Sequence, residues 1–324
     1  VEQRTLGGSD LKISRLGLGT ATWGATTDEV EAARQLAAFV RAGGTLVDTA
    51  DVYGAGRSEE ILGHLIGATV ARSDIVLATK AVAVFGDPSR RQNASRTHLL
   101  ATLDKSLTKL CTDHVDLWQL HAWDPLVPLE ETLSAVDVAI SSGRVRHAGI
   151  CNYSGWQTAK AANWQRLTGR PPLVSVQVEY SLLQRGVERE VIPAAADSKL
   201  GLLAWAPLGR GVLTGKYRHG VPAGKAESRF FKRYVGQYLD ERSAAIVTEL
   251  VAVAERLGLS PLSVALSWVR DRPGVAALLV GARTAEQLEE SLATETDPVV
   301  LPLQERARLD AVSRPNVAYP ESGV

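Results

Sequence analysis

Asp48, Tyr53, Lys80 and His121 are the side chains of this sequence whose types, taken together, suit proton transfer. Asp48 follows the apolar run Thr45-Leu46-Val47, and Lys80 follows Ile75-Val76-Leu77-Ala78 after one threonine. His121 follows the run from Val115 to Leu120, and Tyr53 lies in the Gly-bounded turn just after the first run. A carboxylate, a phenol, an ammonium and an imidazole in one place can hold, tune and deliver a proton. Taken singly, each has a plainer use. Asp48 suits a turn or helix cap, Tyr53 an ordinary surface turn, Lys80 a solvated strand end, and His121 a satisfied core or loop position. Their shared position, at or just past the downstream ends of three consecutive runs, is what argues for a site.

Apolar runs of this length, each followed by an amphipathic helical segment, read as strands of a parallel sheet. The downstream ends of such strands are where an α/β barrel places its chemistry. A short hairpin is expected over Val1 to Ser14, and Leu16-Gly17-Leu18-Gly19 is the first strand. Strands two to eight are Thr45–Ala50, Ile75–Lys80, Val115–His121, His147–Asn152, Leu173–Tyr180, Leu200–Ala206 and Ala276–Gly281. Helical patterns intervene over Asp28–Arg41, from a cap at Ser58 with Glu59 and Glu60 in its first turn, and over Ser95–Leu110. They continue over Pro128–Ser142, which stops at Gly143, then Gly155–Leu167, Val187–Ser198 and Thr284–Thr294. Strand–helix alternation in one direction, without a break in composition, predicts a (β/α)8 TIM barrel spanning 1–324 as one domain rather than a doubly wound sheet.

Two segments fall outside the repeat. Leu208 to Gln237 is a long loop after strand seven, where Arg210, Lys216, Arg218, Lys225, Arg229, Lys232 and Arg233 outnumber the single acid Glu227. A loop of that length in a compact barrel is usually functional. The tail after Pro302 carries a short amphipathic helix over Gln304–Ser313, placed either across the barrel or frayed.

Lys plus Arg and Asp plus Glu both total 36, so no long-range field favours nucleic acid or a membrane surface. No apolar run reaches membrane-spanning length, and no secretory apolar region follows Val1-Glu2-Gln3-Arg4. Cys111 and Cys151 form neither a disulfide framework nor a metal spacing, which points to a reducing cytoplasm.

The motifs resemble those of the aldo-keto reductases over nearly the whole chain. Asp48-Thr49-Ala50, Tyr53-Gly54, Gly56, Ser58-Glu59 and Leu62-Gly63 look like the family's first signature. Thr79-Lys80, Gln119-Leu120-His121, Gly149-Ile150-Cys151-Asn152, Gln177-Val178-Glu179-Tyr180 and Pro207-Leu208-Gly209-Arg210-Gly211 follow in order. Gly281-Ala282-Arg283 with Gln287-Leu288-Glu289-Glu290 is similar to its adenosine-binding end. The long loop, with Gln184-Arg185 and Leu213-Thr214-Gly215-Lys216, is closer to the bacterial and potassium-channel β-subunit branches than to the mammalian aldose reductase branch. The resemblance implies NADPH-dependent reduction of aldehydes or ketones, with Tyr53 as proton donor, Lys80 and Asp48 as its tuners and His121 as orienter. Chemistry supports the same roles. Hydride addition to a carbonyl builds an alkoxide that needs a proton, and an ammonium beside a phenol favours the phenolate and so strengthens the acid.

Cofactor residues are expected elsewhere. No Gly-x-Gly-x-x-Gly opens an early helix, so a Rossmann site is not indicated. Gly209, Gly211 and Gly281 instead follow strands seven and eight, the usual phosphate site of a barrel. Trp205 is expected to stack on the nicotinamide, with Asn152 and Gln177 at its carboxamide. Pro207, Leu208, Lys216 and Arg229 are expected along the pyrophosphate, Arg283 at the 2′-phosphate, and Gln287 and Glu290 at the adenine. Cys151 stands where serine is common beside the carboxamide, and Ser291 where asparagine often meets the adenine. Trp23 and Trp123, with Phe85 and Tyr234, are expected to wall a pocket for a small carbonyl substrate. No metal is expected, and nothing in the pattern fixes an oligomeric state. Two other function classes fit parts of the sequence: a Schiff-base lyase using Lys80, and an NADPH-sensing binding protein of the channel β-subunit type.

Overall fold

The computed structural model describes residues 1–84, 91–221, 224 and 226–316, without the side chains of Arg229, Phe230 and Arg233. Eight parallel strands close into a barrel: β3 (Leu16–Gly19), β4 (Leu46–Asp48), β5 (Val76–Ala81), β6 (Val115–Leu120), β7 (Val145–Cys151), β8 (Leu173–Glu179), β9 (Gly201–Trp205) and β10 (Val275–Val280). β10 pairs back onto β3 through Leu278 opposite Leu16, which closes the ring. The expected (β/α)8 barrel is therefore the observed fold, with strand ends shifted by one or two residues.

Side chains alternate across each strand with period two, and this decides what reaches the mouth. Leu46, Ala78 and Leu117 belong to the interior cluster, with Val174, Leu203 and Leu279. Asp48, Lys80 and Gln119 each stand two residues further along the same strands, so they share that inward face one layer higher. The lower end is stoppered by the hairpin of β1 (Gln3–Thr5) and β2 (Lys12–Ser14); Leu6, just after β1, and Ile13, within β2, are fully buried in the same cluster. Gly7 is required there: in left-handed backbone (φ 58°), a Cβ would meet the Val174 carbonyl oxygen at 2.4 Å.

Outside the strands pack α1 (Glu29–Arg41), α2 (Arg57–Leu65), α3 (Arg96–Lys109), α4 (Leu129–Ser141), α5 (Gly155–Leu167) and α6 (Val191–Asp197). After β9 come α7 (Arg229–Tyr234), α8 (Glu241–Leu257) and α9 (Pro261–Arg270), then α10 (Ala285–Thr296) and α11 (Leu303–Val312). The reading of alternating strands and helices left α8 and α9 unassigned, although both carry clear end signals. Asp240 caps α8 by accepting from the Ser243 N–H, and Gly258 ends it in left-handed backbone. Ser260 caps α9, with Pro261 in its first turn. Ser58 is not a cap. Gly56 precedes α2, and the Ser58 hydroxyl is buried against Thr20 and Thr49. The tail helix α11 packs rather than frays: Trp268 donates to Asp310 at 2.9 Å, and Arg185 donates to the Asp310 carbonyl and the Ser313 hydroxyl, both at 2.9 Å. Among the described residues no single helix is long and apolar enough to cross a membrane. The bent pair α8–α9 comes near in composition, but Ile246, Leu250, Val253 and Trp268 are spent on the core.

The end of the barrel opposite the mouth carries a buried ion pair. Arg15, just before β3, bonds the Glu295 carboxylate of α10, with side-chain exposures of 7% and 0%. Arg270 approaches the same carboxylate at 4.0 Å. Without Glu295, Arg15 keeps Glu2 at 2.6 Å and Arg270 keeps Asp271 at 2.7 Å, so Glu295→Ala is expected to cost about 1.5–3 kcal/mol, the scale of a lost charge-assisted hydrogen bond. Urea unfolding measures this, and a cost below about 1 kcal/mol would mean the pair is solvated and of surface strength.

Candidate active site

The chain turns sharply at the top of β4. The Tyr53 N–H bonds the Ala50 carbonyl at 3.1 Å, and Gly54, Ala55 and Gly56 follow in left-handed backbone (φ 57°, 56° and 93°) before α2 begins. Gly54 has no room for a side chain, since a Cβ would lie 2.8 Å from the Trp23 carbonyl oxygen. At Gly56 a Cβ would lie 1.8 Å from the Lys109 Nζ. Just before this turn, Tyr53 stands against Lys80 of the neighbouring strand. Ala55, Val82, Asn152, Ala206 and Arg210, which rarely adopt positive φ, do so at or just past the upper ends of β4, β5, β7 and β9. Such backbone is held only where the surroundings over-determine it, and it gathers at functional sites.

Lys80, fully buried, is the hub. Its Nζ donates to Asp48 Oδ2 at 2.5 Å and to the Thr49 carbonyl at 2.9 Å, and lies 3.3 Å from the Tyr53 hydroxyl. The other Asp48 oxygen accepts from Gln119 Nε2 at 3.1 Å and Gln177 Nε2 at 2.9 Å. His121 meets Tyr53 edge-on, with ring centroids 6.0 Å apart. The four residues singled out for proton chemistry are thus together.

Burial alone would pull the Lys80 ammonium down, but Asp48, then Tyr53 and Cys151, outweigh it and hold it well above the ordinary lysine value. Burial pushes the Tyr53 phenol above its usual 10, and Lys80 acts against that shift. The phenol is therefore protonated at neutral pH, with the ammonium favouring the anion it becomes. Burial, then Lys80, pulls the His121 imidazole down to about 3, so it is neutral. Among the described residues its buried Nδ1 has no hydrogen-bond partner. Asp51 went unnoticed in the sequence. Burial and the Glu59 carboxylate push it up to about 7, and among the described residues nothing donates to its buried Oδ1.

Other placements differ from expectation. Gln177 commits its amide group to Asp48 and to Gln119 Oε1 at 3.2 Å, which leaves only its oxygen for a carboxamide. Gln119, from the Gln119-Leu120-His121 motif, completes the set of groups around Asp48. A polar amide inside Leu117-Trp118-Gln119-Leu120 was the available signal. Cys151 is buried, its thiol donating to Gln119 at 3.7 Å and pushed up by burial, so it stays protonated. Trp23 is fully buried core, donating to Gln35 of α1 at 3.0 Å, and is no pocket wall. Trp123 is partly buried and packs edge-on between Tyr153 and Trp156, both at 5.3 Å. Phe85 lies outside the described residues, as does the Arg229 side chain.

The mouth is bridged by Asn152, whose Oδ1 accepts from the Trp205 indole and whose Nδ2 donates to the His121 carbonyl, each at 3.0 Å. Beyond Trp205, Pro207 and Leu208 lead into left-handed Gly209, Arg210 and Gly211 (φ 53°, 55° and 86°). Lys216 folds over Gly211, its Nζ 2.6 Å from where a Cβ would stand. At the top of β10, Gly281 and Arg283 are exposed, and Gln287 Oε1 accepts from the Arg283 N–H at 3.1 Å. The first N–H of α10, at Ala285, is taken by the Glu31 carboxylate. Glu290 is exposed, whereas Ser291 is buried and bonds its own helix at the Gln287 carbonyl. A planar indole, an amide, a glycine-rich turn and two cations suit an elongated anionic ligand with a flat head. Among the described residues no His, Cys, Asp or Glu cluster suits a metal.

Comparison with known proteins shows the family. The model of the aldo/keto reductase family matches residues 15–314. An uncharacterized oxidoreductase of Bacillus subtilis, YrpG, is 36% identical over 304 residues, covering 90% of each chain. Aldo-keto reductase YhdN of the same organism is 34% identical, covering 89% of this chain and 87% of its own. A probable voltage-gated potassium channel subunit beta of Oryza sativa is 35% identical, covering 93% and 94%.

Proposed function

The chain belongs to the aldo/keto reductase family, and on that premise we propose that it reduces an aldehyde or ketone to the alcohol with NADPH, Tyr53 supplying the proton. The observation that carries the proposal is the contact of a neutral phenol with a buried ammonium, Tyr53 Oη to Lys80 Nζ at 3.3 Å. A nicotinamide cofactor held at the mouth would supply the hydride that reduces the carbonyl carbon. Tyr53 gives its proton to the carbonyl oxygen as that oxygen becomes an alkoxide, and Lys80 stabilises the phenolate left behind. His121, neutral, orients the oxygen by a hydrogen bond. Asp48, fixed by Gln119 and Gln177, keeps Lys80 charged and in place. That charge also argues against a Schiff-base lyase, which needs an unprotonated amine.

Trp205 and Asn152 would hold the nicotinamide end, the loop from Pro207 to Lys216 the pyrophosphate, and Arg283 the 2′-phosphate that distinguishes NADPH from NADH. Trp123, backed by Tyr153 and Trp156, gives the substrate pocket an apolar aromatic wall. The two free cysteines fit a cytoplasmic enzyme. The channel-subunit relatives favour a second reading, a cofactor-binding partner protein with little turnover. Tight NADPH binding without oxidation across a broad panel of carbonyls would favour it.

Tyr53→Phe is expected to keep cofactor affinity and to lower turnover by about 10² or more, the scale of a lost general acid. NADPH oxidation with an aldehyde panel reads this, and near-full activity would remove Tyr53 from the chemistry. Arg283→Ala is expected to weaken NADPH by about 1.5–3 kcal/mol, the range of a charge-assisted hydrogen bond, and NADH far less. Equal losses, read by tryptophan quenching, would move Arg283 away from the 2′-phosphate.

A further inference from the structure

Arg210 leaves β9 in left-handed backbone (φ 55°), a conformation unfavourable for any residue with a side chain. What holds it there is visible around its guanidinium. The group lies 5.0 Å from the centroid of the Trp205 ring and 5.1 Å from that of Tyr234. Glu179, the last residue of β8, stands 3.5 Å from Nε, near enough to neutralise it but without hydrogen-bond geometry. The same Glu179 oxygen accepts from the Tyr238 hydroxyl at 2.8 Å. Tyr234 closes α7 within the insertion, and Tyr238 follows it just beyond. One side chain therefore ties the ends of two barrel strands to the segment that follows them. It is 21% exposed and Glu179 17%, so the cation–π contacts are partly desolvated and stronger than surface ones. The constraint passes inward, because the Trp205 indole bonds Asn152, which bonds the backbone of His121.

We propose that Arg210 is a positioning residue that clamps the Trp205 indole as a fixed platform for the nicotinamide ring, and locks the insertion to the barrel as it does so. The inference rests on the nicotinamide-dependent reading above. It assigns Arg210 to the opposite end of the cofactor from Arg283, and to an indirect role: Arg210 touches Trp205, and Trp205 touches the ligand. The neighbouring acid supports this role, since Glu179 would oppose a direct phosphate contact by the same guanidinium.

Calorimetric titration of the full chain with NADPH, NADH and ADP-ribose separates the possibilities. ADP-ribose carries the pyrophosphate but no nicotinamide. Arg210→Met is expected to weaken NADPH and NADH by the same factor, about three- to tenfold for loss of a partly desolvated cation–π clamp, and to leave ADP-ribose unchanged. Arg210→Lys, which keeps the charge, is expected to recover part of the loss. Glu179→Gln, which frees the guanidinium while keeping its charge, is expected to weaken both dinucleotides as well. An equal loss for ADP-ribose, or tighter binding in Glu179→Gln, would overturn the clamp in favour of a direct phosphate contact. Unchanged dinucleotide binding in a folded Arg210→Met protein would overturn it alone. A wild-type chain that binds neither dinucleotide would overturn the reductase reading and the clamp together.

Discussion

A lysine ammonium with no exposed surface is the constraint on which the rest of this structure depends. A charge taken out of water costs several kcal/mol unless it is paired and hydrogen-bonded, and Lys80 sits inside the barrel wall. Asp48 must therefore end the neighbouring strand, at 2.5 Å. Its second oxygen must also be satisfied, which brings in Gln119 from β6 and Gln177 from β8. Side chains of four strands are fixed by this one requirement. Well-packed apolar side chains in place of a buried ion pair often give equal or greater stability. Retaining a charged pair here makes sense through what it does to the adjacent phenol, which is otherwise pushed away from ionisation by burial.

The molecule divides its labour along the barrel axis. Below, Leu6 and Ile13 plug an apolar interior, and Arg15 and Glu295 tie strand to helix. Above, five non-glycine residues take left-handed or other positive-φ backbone, and polar side chains converge. The mouth is itself divided: the ends of β4 to β6 carry the side chains suited to proton transfer, and the loops after β9 and β10 carry the glycines and cations suited to a phosphorylated ligand. Asn152 joins the halves, holding Trp205 with one end of its amide and the His121 backbone with the other. A reaction that needs a flat ring and a proton donor set against one carbon–oxygen bond requires such a joint.

Much of this was legible in the sequence because buried parallel strands read as continuous apolar runs. A polar residue ending each run therefore marks the mouth. Partners were not legible. Gln177 lies 129 residues from Asp48, and nothing local says that its amide faces a carboxylate rather than a ligand. Trp23 and Trp205 look alike as aromatic residues near strand ends. Only packing shows that one donates to Gln35 in the core and the other lines the mouth. Ser58 looked like a helix cap because serine with following glutamates is the usual signal. Tertiary bonds to Thr20 and Thr49 took its hydroxyl instead. The helices after the insertion escaped a reading built on strand–helix alternation, even though Asp240, Gly258 and Ser260-Pro261 mark their ends plainly.

The central claim is that the buried Asp48–Lys80 pair sets the acidity of Tyr53. Ultraviolet titration of phenolate formation, taken as the difference between proteins with and without Tyr53, isolates that one hydroxyl among the seven tyrosines. Repeated in a Lys80→Met background, it should show the Tyr53 pKa displaced upward by about one unit or more, since the opposite charge is gone and Asp48 remains. A Tyr53 pKa that stays where it was, or falls, in a folded Lys80→Met protein would contradict the account.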